Sequence, residues 1–320
     1  MILENVNAVL VLLKSEIGDL ILILRIISGI IGIVISAFVI QLGGLPFAIF
    51  SIVLSLIGWH EFSSAFANKG IDTTYVFGAL TLILMLCCAW LGNIEELLAS
   101  LTIGMLAIFL LTVFLYGSVR PIDACVSIAG VLYIGLPFSH LILLRFFDDE
   151  RVATPFDSVT STVTTNLTTL DISAAANSLV NFNFDVGSAL IWILFIATWS
   201  SDTFAYFVGT AFGSHKLAQS ISPKKSVEGF LGAIIGTTAM TVLVGSILFS
   251  FPLIKMAVLG FLLAIIATLG DLVESALKRF TGIKDSGILL PGHGGMLDRF
   301  DSVFFTAPFF YYFVVILGII

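Results

Sequence analysis

Residues 252–301 read PLIKMAVLGFLLAIIATLGDLVESALKRFTGIKDSGILLPGHGGMLDRFD. The first part, 252–271, is apolar over a length that can cross a bilayer, since a spanning helix needs roughly 20 such residues. The second part, 275–301, gathers four basic and three acidic side chains around the glycine-rich turn 292–295. Only 11% of the chain is charged, so this concentration of charge in a membrane protein indicates a polar ligand. Cations, carboxylates and glycines together suit phosphate groups with a divalent metal.

The whole chain has the composition of a polytopic helical membrane protein. Of its 320 residues, 58% are hydrophobic and 29 are Phe. We therefore expect an all-α integral membrane protein. Apolar runs of spanning length predict about nine transmembrane helices, near 26–42, 44–66, 74–92, 97–117, 121–141, 187–210, 227–250, 252–271 and 301–320.

The distribution of Lys and Arg predicts the orientation of these helices, because basic residues concentrate in cytoplasmic loops. With the N-terminus in the cytoplasm, only Arg145, Arg151 and Lys255 among the 14 basic residues fall on the outer side. The charged segment 275–301 then faces the cytoplasm, where nucleotides are found. We expect a polar active-site cavity on that side of the membrane.

The predicted helices and the polar stretches divide the chain into four regions. These are 1–24, an amphipathic or interfacial segment; 25–141, the N-terminal transmembrane helices; 142–186, a polar external loop; and 187–320, the C-terminal transmembrane region that contains 275–301. The loop is rich in Ser and Thr and has no apolar period, which is typical of an irregular segment.

Acidic residues at two predicted helix ends are candidate metal ligands. Asp298 and Asp301 are three residues apart at the start of the last span, so on a helix they share a face. Asp271 ends another span, and Glu274 follows one turn later. Carboxylates from two helices at one membrane face suit Mg²⁺, whose coordination is completed by phosphates and water. The alternative is that the acids only pair with neighbouring basic residues, but the density of acids, bases and glycines favours a ligand site.

The glycine-rich turn 292–295 precedes Asp298 at a predicted helix start. Backbone N–H groups in such a position can bind an anion, although an ordinary flexible turn has the same composition. For His293 three roles stay open, as a phosphate donor, an acid–base group or a turn residue.

A second polar cluster lies upstream of the signature segment. Asp202 interrupts an apolar span, and the stretch ISPKKSVEG follows at 221–229. Taken alone, Lys224 and Lys225 are typical of a positively charged membrane anchor. Together with Ser222 and Ser226 they could cradle a triphosphate.

One further acid, Glu61, falls within the second predicted span, in the sequence Trp59-His60-Glu61-Phe62. A carboxylate inside the membrane is costly and is either satisfied by partners or part of a functional site. The sequence leaves both interpretations of Glu61 open.

The segment 275–301 resembles the signature of the phosphatidate cytidylyltransferases, also called CDP-diacylglycerol synthases. The matching pattern is Ser, one residue, an aliphatic residue, Lys-Arg, four residues and Lys-Asp, followed by Gly287, Leu290-Pro291, His-Gly-Gly, Met296, one residue and Asp-Arg-Phe-Asp. Upstream elements that also resemble the family are Arg25, Trp59–Phe62, Ser201–Thr203, Ser222–Ser226 and Glu228-Gly229.

The resemblance implies the reaction of CTP with phosphatidic acid to give CDP-diacylglycerol and pyrophosphate. It implies in-line attack of the lipid phosphate on the CTP α-phosphorus and dependence on Mg²⁺, and it leaves a second cation open. The implied metal ligands are Asp271, Asp298 and Asp301. The candidate catalytic residues are Asp271, Lys278, Arg279, Lys284, Asp285, His293, Asp298, Arg299 and Asp301. The candidate nucleotide-binding residues are Asp202, Ser222, Lys224, Lys225, Ser226, Gly294 and Gly295.

The expected partners are CTP, phosphatidic acid and the lipid bilayer, with no nucleic acid, and a homodimer stays open. The expected location is a bacterial inner membrane, with the active site facing the cytoplasm. One alternative is a CTP-dependent lipid-alcohol kinase, which moves the γ-phosphoryl group, but the complete signature favours cytidylyl transfer. A second is an ion or solute transporter with Glu61, Asp202 and Asp271 along its path. The sequence shows no paired, inverted set of broken helices to support a transporter.

Overall fold

Helices form where the sequence has its long apolar runs. The computed structural model describes residues 29–147, 185–287 and 294–318. In the first range the helices are α1 (Gly29–Leu42), α2 (Gly44–Ala67), α3 (Tyr75–Trp90), α4 (Ile94–Phe114) and α5 (Pro121–Arg145). In the other two they are α6 (Val186–Phe212), α7 (Val227–Val242), α8 (Leu253–Thr281), α9 (Leu297–Phe300) and α10 (Val303–Leu317), with strands β1 (Lys216–Ala218) and β2 (Ser222–Ser226) between α6 and α7. A π-helical turn, Leu243–Leu248, continues α7.

Within the described residues, six helices are long and apolar enough to cross a membrane. They are α2, α4, α5, α6, α8 and α7 with its π-helical continuation. Large side chains on the outside are strongly exposed, among them Phe114 at 77% and Ile254 at 76%, as lipid-facing residues are. A mostly helical, polytopic membrane protein is thereby confirmed. Helices α1, α3 and α10 are apolar but shorter, so the number of nine spans stays a prediction.

The helices pack around one core that runs between α2, α5, α6, α8 and α10. Trp59, Phe138 and Phe310 are fully buried in it. Helix α7 lies against α6 and α8. Its glycines allow a close approach to α6, because a Cβ added at Gly229 would come 2.8 Å from the carbonyl oxygen of Ala205. Small residues at helix contacts serve this purpose in membranes.

Helix α8 is longer than the apolar run that predicted it. We predicted a span ending at 271, whereas the helix continues to Thr281 and ends at Gly282, whose φ of 78° is left-handed. Hydropathy drops at Asp271 because the following residues are polar, but the helix continues since Glu274 and Lys278 form an ion pair along it. This extension carries the first half of the signature on a rigid element.

The region 142–186 is also bounded differently from the prediction. Helix α5 continues to Arg145, and Asp185 caps α6 by accepting a hydrogen bond from the Ser188 N–H at 2.6 Å. Arg145 donates to both carboxylate oxygens of Asp185 at 2.9 Å, which joins the two ends of the region. Residues 148–184 of the predicted loop lie outside the described residues, as do the segment 1–24 and His293.

A short β-hairpin between α6 and α7 was not predicted. Its strands are antiparallel, with Lys216 opposite Ser226 and Ala218 opposite Ser222. The Ser226 side chain caps α7 by accepting from the Gly229 N–H at 3.1 Å. The hairpin thus holds its lysines at fixed positions beside α6 and α8.

Candidate active site

A cavity of about 600 Å³ opens between α6, the hairpin, the start of α7 and α8. Among its polar lining residues are Asp202, Lys216, Lys224, Lys225, Ser226 and Asp271. Lysines from the hairpin therefore face carboxylates from α6 and α8. Of the predicted nucleotide-binding residues, Asp202, Lys224, Lys225 and Ser226 line this cavity, and Ser222 at the far end of β2 does not.

Lys225 and Asp271 form an ion pair across the cavity. Asp271 also accepts a hydrogen bond from the Ser275 hydroxyl at 3.3 Å, one turn along α8. The predicted phosphate-binding lysine is thus in contact with a predicted metal ligand. The Lys225 ammonium thus neutralises Asp271. A metal ion could replace this ammonium at Asp271, and a phosphate could replace Asp271 at Lys225.

Asp301 lies between α9 and α10. Its carboxylate accepts a hydrogen bond from the Ser302 N–H at 2.6 Å. The negative charges of Asp271 and Asp202 act on it, and so does the positive charge of Lys225. We call Asp202, Asp271 and Asp301 the carboxylate cluster. Their mutual repulsion indicates a place where a further positive charge would be stabilised.

The carboxylate cluster is not a closed metal site as it stands. Among the described residues, no three His, Cys, Asp or Glu side chains lie close enough together to hold a metal ion by themselves. Mg²⁺ is commonly bound by one or two carboxylates with substrate phosphates and water. The cluster fits this second arrangement, and the predicted metal set stays a prediction.

Asp202, on α6, is exposed to solvent in the cavity. The positive charges of Lys225 and Arg299 both attract the Asp202 carboxylate. Arg299 itself is exposed at the end of α9. The second polar cluster, which was predicted from the sequence, therefore lies at the same site as the signature.

Asp298 has a different environment from Asp301. One of its carboxylate oxygens accepts from the Lys278 ammonium at 2.8 Å. The other accepts from the Ser286 N–H at 2.9 Å, the Ser286 hydroxyl at 3.0 Å and the Gly295 N–H at 2.8 Å. Burial raises the pKa of Asp298, but the bonds from Lys278, Gly295 and Ser286 outweigh it and lower the pKa to about 2. Both oxygens are thus occupied by protein donors. Asp271 also has a donor at each oxygen, Ser275 and Lys225, but Asp298 has four donors in all.

Lys278 sits between two acids. Its ammonium lies 2.8 Å from Asp298 and 2.6 Å from Glu274, which is 3% exposed. The contact with Glu274 is an ion pair without the direction of a good hydrogen bond. As a phosphate ligand, Lys278 would have to give up one of these carboxylates.

The remaining signature residues lie around this network. Arg279 is exposed and its Nε donates to the Ile221 carbonyl at 3.4 Å, beside the hairpin. Lys284 and Asp285 are exposed beyond the end of α8. Gly294 has a left-handed φ of 86°, and a Cβ there would come 2.6 Å from Asp298. In this structure the close approach of the glycine turn therefore serves Asp298, and a contact of Gly294 or Gly295 with nucleotide stays a prediction.

Three residues of the site were not in the predicted set. Ser286 and Glu274 bind members of the signature, and Glu61 binds the chain at Met296 and Leu297. Ser286 lies inside the signature, so its position was a usable signal. Glu274 was noted only as a neighbour of Asp271.

Comparison with known proteins identifies the class. A model of the cytidylyltransferase family matches residues 23–317. The chain belongs to this family and is a nucleotidyltransferase.

Its curated relatives give a narrower description. The phosphatidate cytidylyltransferase of Synechocystis is 34% identical over 305 residues, which are 92% of this chain and 96% of that protein. The phosphatidate cytidylyltransferase of Bacillus subtilis is 29% identical over 293 residues, 90% of this chain and 96% of that protein. A third, from Brucella abortus, is 34% identical over 298 residues, 90% of this chain and 92% of that protein. The family resemblance read from the signature is confirmed.

Proposed function

We propose that this protein is a phosphatidate cytidylyltransferase, which converts CTP and phosphatidic acid into CDP-diacylglycerol and pyrophosphate. The observation that carries the proposal is the cavity in which hairpin lysines face the carboxylate cluster, in a chain that matches phosphatidate cytidylyltransferases over almost its whole length. The distribution of basic residues supports a cytoplasmic position for this cavity. The relatives named above are bacterial, which supports a bacterial inner membrane.

The chemistry needs positioning more than a base. An oxygen of the lipid phosphate attacks the CTP α-phosphorus, and the bond from that phosphorus to the bridging oxygen of the β-phosphate breaks. The electron pair leaves with pyrophosphate. The second pKa of a phosphomonoester is roughly 6, so phosphatidic acid is largely dianionic at neutral pH and can attack directly. The protein must align the reactants and stabilise the charge that develops on pyrophosphate.

The cavity has a size suited to a nucleotide, since ligand sites commonly enclose roughly 300–1,000 Å³. Lys216 and Lys224 are exposed at its hairpin wall and can reach the outer phosphates. Lys225 lies deeper, at Asp271. A triphosphate bound by these lysines would have its negative charge directed at the carboxylate cluster. The triphosphate and the carboxylate cluster would repel each other unless a cation lay between them, and this supports a role for Mg²⁺.

The described carboxylates fit that cation. Asp271 and Asp301 would hold it, with Asp202 beside them, as the repulsion within the cluster supports. When bound, Mg²⁺ would neutralise charge on the reacting phosphates. Lys225 would leave Asp271 and follow the nucleotide phosphates. For Asp298 to join as predicted, Lys278 would have to release one of its oxygens.

The lipid can reach the same site from the bilayer. An apolar groove of about 560 Å³ lies between α8 and α10, lined by Leu269, Leu272, Phe305 and Phe309 among others. Leu269 and Leu272 lie on faces of α8 that point away from Asp271. Phe305 follows Asp301 by one helical turn, so the groove approaches the carboxylate cluster on the side of Asp301. An acyl chain in this groove would bring the phosphate of the lipid to the carboxylate cluster while the chain stays among apolar residues.

Labelled CTP tests the proposal. Purified protein is incubated with phosphatidic acid vesicles and Mg²⁺, with CTP labelled at either the α- or the γ-phosphate. Label from the α-phosphate should enter lipid, label from the γ-phosphate should not, and chelation of Mg²⁺ should stop the transfer. Lipid labelled only from the γ-phosphate would make the protein a lipid kinase. No transfer from either position, with folded protein, would favour the transporter alternative.

A further inference from the structure

Glu61, on α2, forms hydrogen bonds with three residues of the signature, Ser286, Met296 and Leu297. It is 5% exposed. One carboxylate oxygen accepts from the Met296 N–H at 2.8 Å, across 235 residues of sequence. The other accepts from the Leu297 N–H at 2.9 Å and the Ser286 hydroxyl at 3.0 Å. Both oxygens are thus satisfied by the signature itself.

The partners of Glu61 are neutral donors. In the described part of the chain, no Lys, Arg or His forms an ion pair with its carboxylate. A buried carboxylate without a cation depends on its hydrogen bonds, because each lost donor leaves charge unsolvated. Packing around Glu61 is tight, since a Cβ added at Gly295 or Gly287 would collide with it. The two glycines allow the chain to wrap around this carboxylate.

Glu61 and Asp298 hold the same two pieces of chain. Glu61 binds Ser286 on one side and residues 296–297 on the other, and Asp298 binds Ser286 and Gly295. The Ser286 hydroxyl lies 3.0 Å from both carboxylates, but its single proton can serve only one at a time. The two acids are therefore coupled through this hydroxyl. Together they draw Ser286 to the segment that leads into α9.

We propose that Glu61 is a positioning residue for nucleotidyl transfer. By holding both ends of the segment 286–297, it sets where Asp298 and Asp301 stand relative to Asp271 on α8. The inference rests on the proposed function and concerns the same site. It assigns to α2 a part in the reaction although no residue of α2 lines the nucleotide cavity.

The test compares two Glu→Gln variants. Glu61→Gln keeps the size of the side chain but turns an amide NH₂ toward N–H and O–H groups that need an acceptor. Glu95→Gln makes the same change at an exposed glutamate in the first turn of α4. Each purified variant is assayed for CDP-diacylglycerol formation at saturating Mg²⁺ and phosphatidic acid while CTP is varied. The folded fraction is measured in parallel by thermal melting in detergent.

We expect Glu61→Gln to lower kcat about 10- to 100-fold, as loss of an outer-shell partner commonly does. The KM for CTP should stay within about threefold of wild type, because no residue of α2 lines the nucleotide cavity and the saturating Mg²⁺ keeps the metal site filled. Glu95→Gln should leave both constants unchanged. A merely structural role would reduce the folded fraction and leave kcat per folded molecule as it was.

Ser286→Ala supplies the second variant. It removes only the hydroxyl shared by Glu61 and Asp298, and it keeps the backbone N–H that Asp298 also uses. If Glu61→Gln does not fold, Ser286→Ala decides the matter by the same split of kcat and KM. If both fold, the double variant should lose less activity than the product of the two single losses, since the residues act through one network.

The proposal is overturned if Glu61→Gln, or Ser286→Ala where the first does not fold, retains kcat within about twofold of Glu95→Gln. It is also overturned if the KM for CTP rises as much as kcat falls, because Glu61 would then act on nucleotide binding. Both results require an active wild-type protein. A wild type that forms no CDP-diacylglycerol would contradict the proposed function instead, so the two failures are distinguishable.

Discussion

The substitution Asp298→Asn removes a charge that the structure places among four donors, from Lys278, Ser286 and Gly295. The asparagine oxygen can replace the oxygen that faces Ser286 and Gly295. Its NH₂ group then faces the Lys278 ammonium, donor against donor. Lys278 keeps Glu274 as its only carboxylate partner in the described part of the chain. We therefore expect the variant to fold with a lower free energy of unfolding than wild type.

The size of the effect follows from the pKa of Asp298. The fall from the ordinary 3.8 to about 2 corresponds to about 2 kcal/mol, at 1.36 kcal/mol per unit. Hydrogen bonds to charged groups contribute about 1.5–3 kcal/mol in proteins, which agrees. Because the folded-state pKa is depressed, the carboxylate stabilises the fold above its unfolded pKa of 3.8, and this contribution is lost as the pH falls toward 2. At pH 7 the full contribution is present.

The assay is reversible unfolding in detergent micelles, which gives the free energy of unfolding of wild type, Asp298→Asn and the control Asp72→Asn. Asp72 is an exposed aspartate outside the site. We expect Asp298→Asn to lower the free energy of unfolding by about 2 kcal/mol at pH 7 and Asp72→Asn to leave it unchanged. The reasoning is refuted if Asp298→Asn is as stable as Asp72→Asn. Formation of CDP-diacylglycerol should be lost in Asp298→Asn and kept in Asp72→Asn.

Three further substitutions test other parts of the site. Lys225→Ala should raise the KM for CTP about tenfold and leave that for phosphatidic acid nearly unchanged in steady-state kinetics; an unchanged CTP dependence would make Lys225 only a membrane anchor. Asp301→Asn should abolish turnover in the same assay, because the proposed function places Asp301 among the residues that hold Mg²⁺; turnover at the wild-type rate would remove Asp301 from the metal site. Gly295→Ala should lower the free energy of unfolding by about 1–3 kcal/mol, since its Cβ would collide with Ser286 and Glu61; a neutral result would show that the turn can relax.

Hydropathy predicted the helices well because lipid-facing segments must be apolar over their whole length. It was wrong about the end of α8 since the method reads only polarity. The apolar run ends at Asp271, but Glu274 and Lys278 form an ion pair along the helix, which continues to Thr281. The hairpin was missed for a related reason. Its strand Ser222–Ser226 contains a proline and two lysines and has no apolar alternation.

The sequence predicted which residues form the site better than it predicted which of them contact each other. The sequence indicated Asp271 at the end of one predicted span, Asp202 inside another and Lys225 in the SPKKS stretch, and the structure brings them to one cavity. That Lys225 pairs with Asp271 was not predictable, because no spacing along the chain relates β2 to α8. The same holds for Glu61, whose donors lie in the signature. Such contacts depend on how helices pack, which one sequence does not encode in its local pattern.

The most direct test of the central claim is product analysis with wild type and Asp271→Asn, at equal amounts of folded protein. The account predicts that wild type forms CDP-diacylglycerol and pyrophosphate in equal amounts with Mg²⁺. Asp271→Asn, which changes the acid that joins α8 to the hairpin, should form neither above background. CDP-diacylglycerol formation by Asp271→Asn at the wild-type rate would contradict the placement of the reaction at the carboxylate cluster.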